Sequence, residues 1–123
     1  MSVSRTEDAV LARAKTVTRR VGWLMLKPGD RLTLCRKVMG RRPGEPLVRI
    51  CDVEVVSVDR ESLSVLIDEG YAANYGHAEV ALEGFPDWTP GQFVAMFCRT
   101  HKGCDADTEV TRIEWRYLDE ATP

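Results

Sequence analysis

The feature that most constrains the fold of this chain is the short spacing between its predicted β-strands. Segments rich in β-forming residues lie at 16–21, 31–37 and 47–58. The connections between them, 22–30 and 38–46, are nine residues each. Adjacent parallel strands need a crossover of about a dozen residues or more. The first half therefore cannot follow the regular strand–helix–strand pattern of a parallel sheet.

A further strand is predicted at 109–118, where uncharged and charged residues alternate with the period of two that a half-buried strand requires. In the strand at 47–58 this alternation slips at the pair Val55-Val56, which indicates a β-bulge. Together with short helices between the strands, this pattern predicts an α+β fold, a small mixed β-barrel with helices packed beside it. The predicted helices span 6–14, 62–68, 77–82 and 90–98, and the last of them begins with a TPGQ capping box at 89–92.

The length and composition fit a single domain over residues 1–123, because domains commonly have about 100–150 residues. No stretch approaches the roughly 20 apolar residues of a membrane helix, and the polar N-terminus lacks the apolar run of a signal peptide. Four irregularly spaced cysteines are too few for a secreted disulfide scaffold. These features predict a cytoplasmic protein with reduced thiols and no membrane partner.

The charge is unevenly divided along the chain, although the formal net charge is only -2. Residues 1–60 carry 13 Lys and Arg against 7 Asp and Glu, a net of +6. Residues 61–123 carry 4 against 12, a net of -8. A positive half indicates an anionic partner, and its confinement to part of the chain favours a small or single-stranded ligand over a long duplex.

Three short motifs, taken together, resemble those of a known family. The sequence KTVTRR at 15–20 follows a predicted helix, KPGD at 27–30 precedes a strand, and EGF at 83–85 precedes the capped helix. With the final strand, this order resembles the ASCH domains of the PUA-like superfamily over nearly the whole chain. The resemblance implies a β-barrel with a cleft that accepts RNA or a nucleoside.

The resemblance also implies a set of catalytic residues. Some small bacterial members of the family are amidohydrolases that remove the acetyl group from N(4)-acetylcytidine, using a Lys and a Thr of the first motif and a Glu from the middle of the chain. Transferred to this sequence, these positions are Lys15, Thr18 and Glu83, with Glu79 as the alternative carboxylate. The segment 62–82 departs most from the short hydrolases, and we expect it to cap the site or to block large substrates.

The implied chemistry is physically consistent, because a threonine hydroxyl becomes a nucleophile only when a neighbouring base takes its proton. A lysine can be that base if burial or a nearby cation, such as Arg19 or Arg20, lowers its pKa. The alternative interpretation is that Lys15 and Thr18 are ordinary surface residues at a helix–strand junction and that Glu83 is a solvated carboxylate.

Five residues are predicted to bind the ligand. An arginine can contact a phosphate while an indole stacks on a base, and a basic loop bounded by Gly and Pro can follow an RNA backbone. The alternatives are that the tryptophan plugs the end of the barrel and that the loop contributes only solubility. The predicted ligand-binding residues are Arg19, Arg20, Trp23, Arg41 and Arg42.

Cys98, His101 and Cys104 have the side chains of metal ligands at short spacing. Zinc would need a fourth ligand, and the spacing differs from the paired CxxC knuckles of most zinc sites. Packing of the cysteines as small apolar residues is the alternative. We expect no metal and no cofactor.

Three functions remain open on the sequence. The first is binding of single-stranded RNA or of a modified pyrimidine nucleoside. The second is hydrolysis of the acyl group of N(4)-acetylcytidine at the same cleft. The third is a non-catalytic module whose basic half docks an acidic protein. The sequence predicts no oligomeric state.

Overall fold

A computed structural model of the protein describes residues 1–37, 40–68, 70 and 74–118. It contains a four-stranded antiparallel sheet in the order β1-β4-β3-β2. One short helix precedes the first strand along the chain, and two further helices lie between the third and the fourth strands. The strands are β1 (Val17–Arg20), β2 (Arg31–Cys35), β3 (Arg49–Ser62) and β4 (Glu109–Tyr117), and the α-helices are α1 (Glu7–Leu11), α2 (Tyr75–Leu82) and α3 (Pro90–Arg99).

The long strand β3 organises the sheet because it pairs with both β2 and β4. Its register against β4 shifts between Val55 and Ser57, which confirms the predicted bulge. The strand continues to Ser62, four residues beyond the predicted end, because Arg60 and Ser62 pair with Thr111 and Glu109 of β4. The predicted helix at 62–68 is accordingly reduced to a 3-10 turn at Leu63–Leu66.

The helices follow the predicted order with altered ends. The capping box of α3 is confirmed, since the Thr89 hydroxyl accepts a hydrogen bond from the Gln92 backbone and the Gln92 side chain accepts one from the Thr89 backbone. Helix α2 begins at Tyr75, two residues before the predicted start. No helix within the described part of the chain is long and apolar enough to cross a membrane.

The core consists of two apolar clusters. One joins α2 and α3 to the 3-10 turn after β3 and to the start of β4, with Leu63, Val80 and Phe93 among its buried residues. The other lies where the N-terminal segment packs on the sheet, with Leu34 and Ile113 fully buried. The buried charged residues are Lys15 before β1, Arg19 on β1, Glu79 on α2 and Glu83 directly after α2.

The predicted closed barrel is not confirmed, because β1 and β2 lie at opposite edges of an open sheet and do not pair with each other. The N-terminal residues lie between these edges instead. The Val3 backbone donates to the Cys35 carbonyl at 2.8 Å, and Arg20 Nη2 donates to the Ser2 carbonyl at 2.7 Å. One extended segment thus connects the edges through a few hydrogen bonds, where a barrel would need a continuous ladder.

Candidate functional site

A cavity of about 250 Å³ lies between the N-terminal segment, β1 and one side of α3. Charged and hydroxyl side chains come from the N-terminal segment, from β1 and from the end of α2, while aromatic side chains come from α3 and the turn before it. The residues that line the cavity are Ser2, Val3, Ser4, Arg5, Thr6, Lys15, Thr18, Arg19, Arg20, Glu83, Phe85, Phe93, Met96, Phe97, Thr100 and His101.

Lys15 and Glu83 form a buried ion pair in the cavity wall. Lys15 Nζ donates to Glu83 Oε1 at 3.0 Å and also to the Glu83 backbone carbonyl. Both residues are only 3% exposed. They meet because the Thr16 backbone, next to Lys15, donates to the carbonyl of Leu82 at the end of α2. The interpretation of Lys15, Thr18 and Glu83 as solvated surface residues is therefore wrong, since Thr18 is also buried.

Burial lowers the pKa of the Lys15 amine. Desolvation disfavours the charged form and outweighs the opposing effect of the Glu83 carboxylate, while Arg20 and Arg19 lower the pKa further. This is the direction that a lysine base requires, because only the neutral amine can accept a proton.

Thr18 lines the same cavity but contacts a different cation. Arg20 Nε donates to Thr18 Oγ1 at 3.1 Å, as expected for side chains two positions apart on one face of a strand. Among the described residues, no hydrogen bond joins Thr18 to Lys15 or to Glu83. The three predicted catalytic residues thus share one cavity, and two of them are in direct contact.

Arg19 points into the interior and is held by three carboxylates. Its Nε lies 2.7 Å from Glu61, its Nη2 lies 2.5 Å from Glu79, and its Nη1 lies 3.2 Å from Glu83 Oε2. Burial by itself lowers the pKa of Arg19, but the three carboxylates outweigh burial and raise it. Arg19 thus binds one oxygen of the Glu83 carboxylate, Oε2, while Lys15 binds the other, Oε1. The two cations together hold this carboxylate in place.

Glu79, the alternative catalytic carboxylate, lies behind Arg19 and does not line the cavity. Arg112 of β4 also donates to both of its oxygens, at 2.5 and 3.1 Å. Burial raises the pKa of Glu79, but the hydrogen bonds from Arg112 and Arg19 outweigh burial and lower it. Glu83 therefore lies in the cavity wall, whereas Glu79 lies behind it and contacts Arg19.

The aromatic wall was not predicted as part of the site. Phe93 and Phe97 of α3 line the cavity together with Phe85. His101 stacks on Phe97, with ring centroids 4.1 Å apart and an angle of 11° between the rings. The sequence signal that could have identified these residues is the EGF motif with the helix that follows it, since both belong to the resemblance to ASCH domains.

The two cysteines of the Cys98, His101 and Cys104 set face each other, whereas the histidine ring turns towards the cavity. The sulfur atoms lie 3.0 Å apart and both side chains pack against the core. Burial, together with the hydrogen bond to Cys104, raises the pKa of the Cys98 thiol to about 11. No group of three or more His, Cys, Asp or Glu side chains suited to a metal occurs among the described residues.

The other predicted ligand-binding residues lie outside the cavity. Trp23 is 41% exposed in the turn after β1, with a positive φ of 56°. Arg41 and Arg42 are exposed on the connection between β2 and β3. Neither the indole nor the two guanidinium groups line the cavity, so any contact they make with a ligand lies beyond its walls.

The sequence matches no family model and no curated protein. Two solved structures nevertheless share the fold. A DUF984 protein from Enterococcus faecalis V583 is 12% identical, with a TM-score of 0.62 over 94% of this chain and 71% of its own. An ASCH domain from Lactobacillus crispatus JV V101 is 17% identical, with a TM-score of 0.58 over 92% of this chain and 70% of its own. The chain therefore has an ASCH-like fold, and at these identities the likeness concerns the fold.

Proposed function

From this ASCH-like fold and its cavity, we propose that the protein binds a modified pyrimidine nucleoside, either free or as one exposed base of single-stranded RNA. The observation that carries the proposal is the buried Lys15–Glu83 pair in the wall of a small cavity with aromatic side chains. Burying two charges is costly, so a buried pair that faces a cavity supports a role in recognising a ligand there.

The size of the cavity supports a single nucleoside as the ligand. Its volume of about 250 Å³ lies just below the range of about 300–1,000 Å³ that is typical of sites for drug-sized molecules. Phe93 and Phe97 offer faces on which a base can stack. Lys15, Glu83 and Thr18 supply donors and acceptors for the polar edge of the base.

Hydrolysis of N(4)-acetylcytidine is the second candidate function, and the lowered pKa of Lys15 favours it. In this reaction neutral Lys15 takes the proton of the Thr18 hydroxyl while Thr18 Oγ1 forms a bond to the acetyl carbon. The carbon–nitrogen bond then breaks, and the amine of cytidine receives the proton from Lys15. Water hydrolyses the acetyl-threonine ester and releases acetate, while Glu83 orients the amine of Lys15.

Calorimetric titration with N(4)-acetylcytidine tests the binding function. We expect saturable binding that Glu83→Gln weakens at least about tenfold, because a charge-assisted hydrogen bond contributes on the order of 1.5–3 kcal/mol. Arg31→Ala, which removes an exposed charge outside the cavity, is the matched control and should leave the affinity unchanged. Absence of binding, or equal affinity in Glu83→Gln and wild type, contradicts the proposal.

Release of acetate from the same compound separates hydrolysis from binding. If the protein is a hydrolase, Thr18→Ala and Lys15→Met abolish turnover, and the rate rises with pH as Lys15 deprotonates at a pKa below its usual range. Tight binding without release of acetate rules out the hydrolase and leaves the binding function.

Gel shifts with single-stranded RNA over a series of salt concentrations test the predicted role of Arg41 and Arg42. Removing one cation that binds a phosphate should reduce the salt dependence of log K by about 0.7 for a single strand. A double Ala variant with an unchanged slope would assign RNA binding to the cavity alone. A protein that binds neither nucleoside nor RNA at low salt would favour the protein-partner alternative.

A further inference from the structure

Arg20 differs from Lys15 and Arg19 because it is half-buried without a carboxylate in direct contact. Lys15 pairs with Glu83, and Arg19 is surrounded by three glutamates. The guanidinium of Arg20 instead donates to the Thr18 hydroxyl and the Ser2 carbonyl, both neutral groups. Within the described residues it makes no ion pair. Its positive charge at the cavity wall is therefore not neutralised by direct contact with a carboxylate.

Arg5 provides a second uncompensated positive charge at the same cavity. It is exposed, lies in the 3-10 turn Ser4–Thr6, and forms no ion pair or hydrogen bond within the part of the chain that the structure describes. Ser4 and Thr6, which carry hydroxyl groups, also line the cavity. The hydrogen bond from Arg20 to Ser2 holds this N-terminal segment against β1, so both arginines belong to the same side of the cavity.

We propose that the nucleoside bound here carries a phosphate monoester, and that Arg5 and Arg20 bind this phosphate while the base lies along the aromatic wall. This inference rests on the proposed nucleoside function and narrows its substrate class to nucleotides. The phosphate belongs either to a free nucleoside monophosphate or to the terminal nucleotide of an RNA strand.

The chemistry of this side of the cavity fits a phosphate better than a smaller anion. A phosphate monoester carries a charge of about -1.5 to -2 near neutral pH, which matches two uncompensated arginines. Guanidinium groups bind phosphate oxygens through paired hydrogen bonds, and serine and threonine hydroxyls are frequent additional donors. Burial of Arg20 strengthens this attraction, because the screening by water is reduced where the side chain is covered.

The opposite wall offers no comparable site for an anion. Phe85, Phe93 and Phe97 are apolar, and the amine of Lys15 is already paired with the Glu83 carboxylate. The separation of two uncompensated cations from an aromatic wall orients the ligand, with its anionic end towards the N-terminal segment and its ring towards α3.

Calorimetric titrations with cytidine, cytidine 5′-monophosphate and inorganic phosphate test this inference. We expect the monophosphate to bind at least about tenfold more tightly than cytidine at low salt, with inorganic phosphate competing weakly. Arg5→Ala and Arg20→Gln should each remove most of this difference between the two compounds. The control Arg31→Ala should preserve it. Arg5 is exposed and makes no described contact, so its variant is informative even if Arg20→Gln disturbs folding.

The outcomes separate this inference from the proposed function. Equal affinity for cytidine and its monophosphate overturns the phosphate site and leaves nucleoside binding intact. A preference for the monophosphate that survives both arginine variants also overturns the site. If neither compound binds but N(4)-acetylcytidine does, the phosphate site is overturned and the proposed function stands. If N(4)-acetylcytidine also fails to bind, the proposed function itself fails.

A trinucleotide RNA with and without a 5′-phosphate identifies the source of the phosphate. If the phosphorylated strand binds as tightly as the monophosphate and the unphosphorylated strand does not, the ligand is the end of an RNA strand. If only the mononucleotide binds, the ligand is a free nucleotide. Both results support the phosphate site.

Discussion

The protein contains two groups of charged side chains that differ in burial and in the number of ion pairs they form. The buried charged cluster consists of Lys15, Arg19, Glu61, Glu79, Glu83 and Arg112. The exposed basic loop at 40–46 contains Arg41 and Arg42, both open to solvent. The loop is the denser run of positive charge in the sequence, yet the cluster supports the cavity. Removing one partner of a buried ion pair is strongly destabilising, because the other charge stays buried without compensation. An exposed ion pair, in contrast, contributes only about 0–1 kcal/mol to stability.

The buried cluster also explains part of the uneven distribution of charge along the chain. Lys15 and Arg19 belong to the positive half of the sequence, and their partners Glu61, Glu79 and Glu83 all belong to the negative half. Part of the asymmetry is therefore neutralised inside the fold. What remains for an anionic ligand at the cavity is the charge of Arg5 and Arg20.

The largest effect is expected for removal of the centre of the cluster. Arg19→Ala leaves three buried carboxylates without their shared cation, and we expect a loss of about 3–5 kcal/mol in the free energy of unfolding, measured with urea. Arg42→Ala removes the same side chain from the exposed loop and should change the free energy by less than about 0.5 kcal/mol. Similar losses in the two variants would refute the contrast between cluster and loop.

A smaller effect is expected from displacing the helix that carries Glu79. A Cβ at Gly76 of α2 would collide with the Leu66 carbonyl oxygen and approach Pro90 Cγ to 2.9 Å. We expect Gly76→Ala to cost about 1–3 kcal/mol of stability in thermal or urea unfolding.

The matched control is Gly91→Ala in α3, where the nearest atom lies 4.0 Å from the new Cβ. This substitution should be neutral or stabilising by up to about 1 kcal/mol, because Ala favours helix more than Gly. If Gly76→Ala is as stable as Gly91→Ala, close docking of α2 does not position the cluster.

The smallest effect is the dependence of stability on pH. The pKa of Glu79 is lowered in the folded state, so its contribution is fully present above the ordinary pKa of 4.5 and is lost as pH falls through the lowered value. The stability difference between wild type and Glu79→Gln should therefore shrink in urea titrations below pH 4.5. Asp87→Asn, which removes an exposed carboxylate between α2 and α3, is the control and should change the free energy of unfolding by less than about 0.5 kcal/mol. A constant difference between wild type and Glu79→Gln would contradict the assigned role.

Much of the local structure could be predicted because its signals are local. The capping box at Thr89, the bulge at Val55 and the alternation of β4 each depend on residues within a few positions of one another. The predicted helix at 62–68 failed because β4 extends β3 by pairing with it, and a pairing partner almost fifty residues away leaves no local pattern. The same limitation explains why the predicted barrel is not confirmed. Closure of a barrel depends on how the N-terminal segment fills the space between β1 and β2, which are distant in the sheet.

For the site, the amino-acid sequence alone specifies which chemical groups are available. The motif at 15–20 placed Lys15 before a strand and Thr18 on one face with Arg20, because a strand has a fixed period of two. Which of the charges are paired depends on the three-dimensional fold. Arg19 contacts carboxylates 42, 60 and 64 residues away, and Lys15 contacts one 68 residues away. The physical reason is that pairing and burial depend on distances in space, so adjacent arginines in one motif came to lie among glutamates in one case and beside neutral groups in the other.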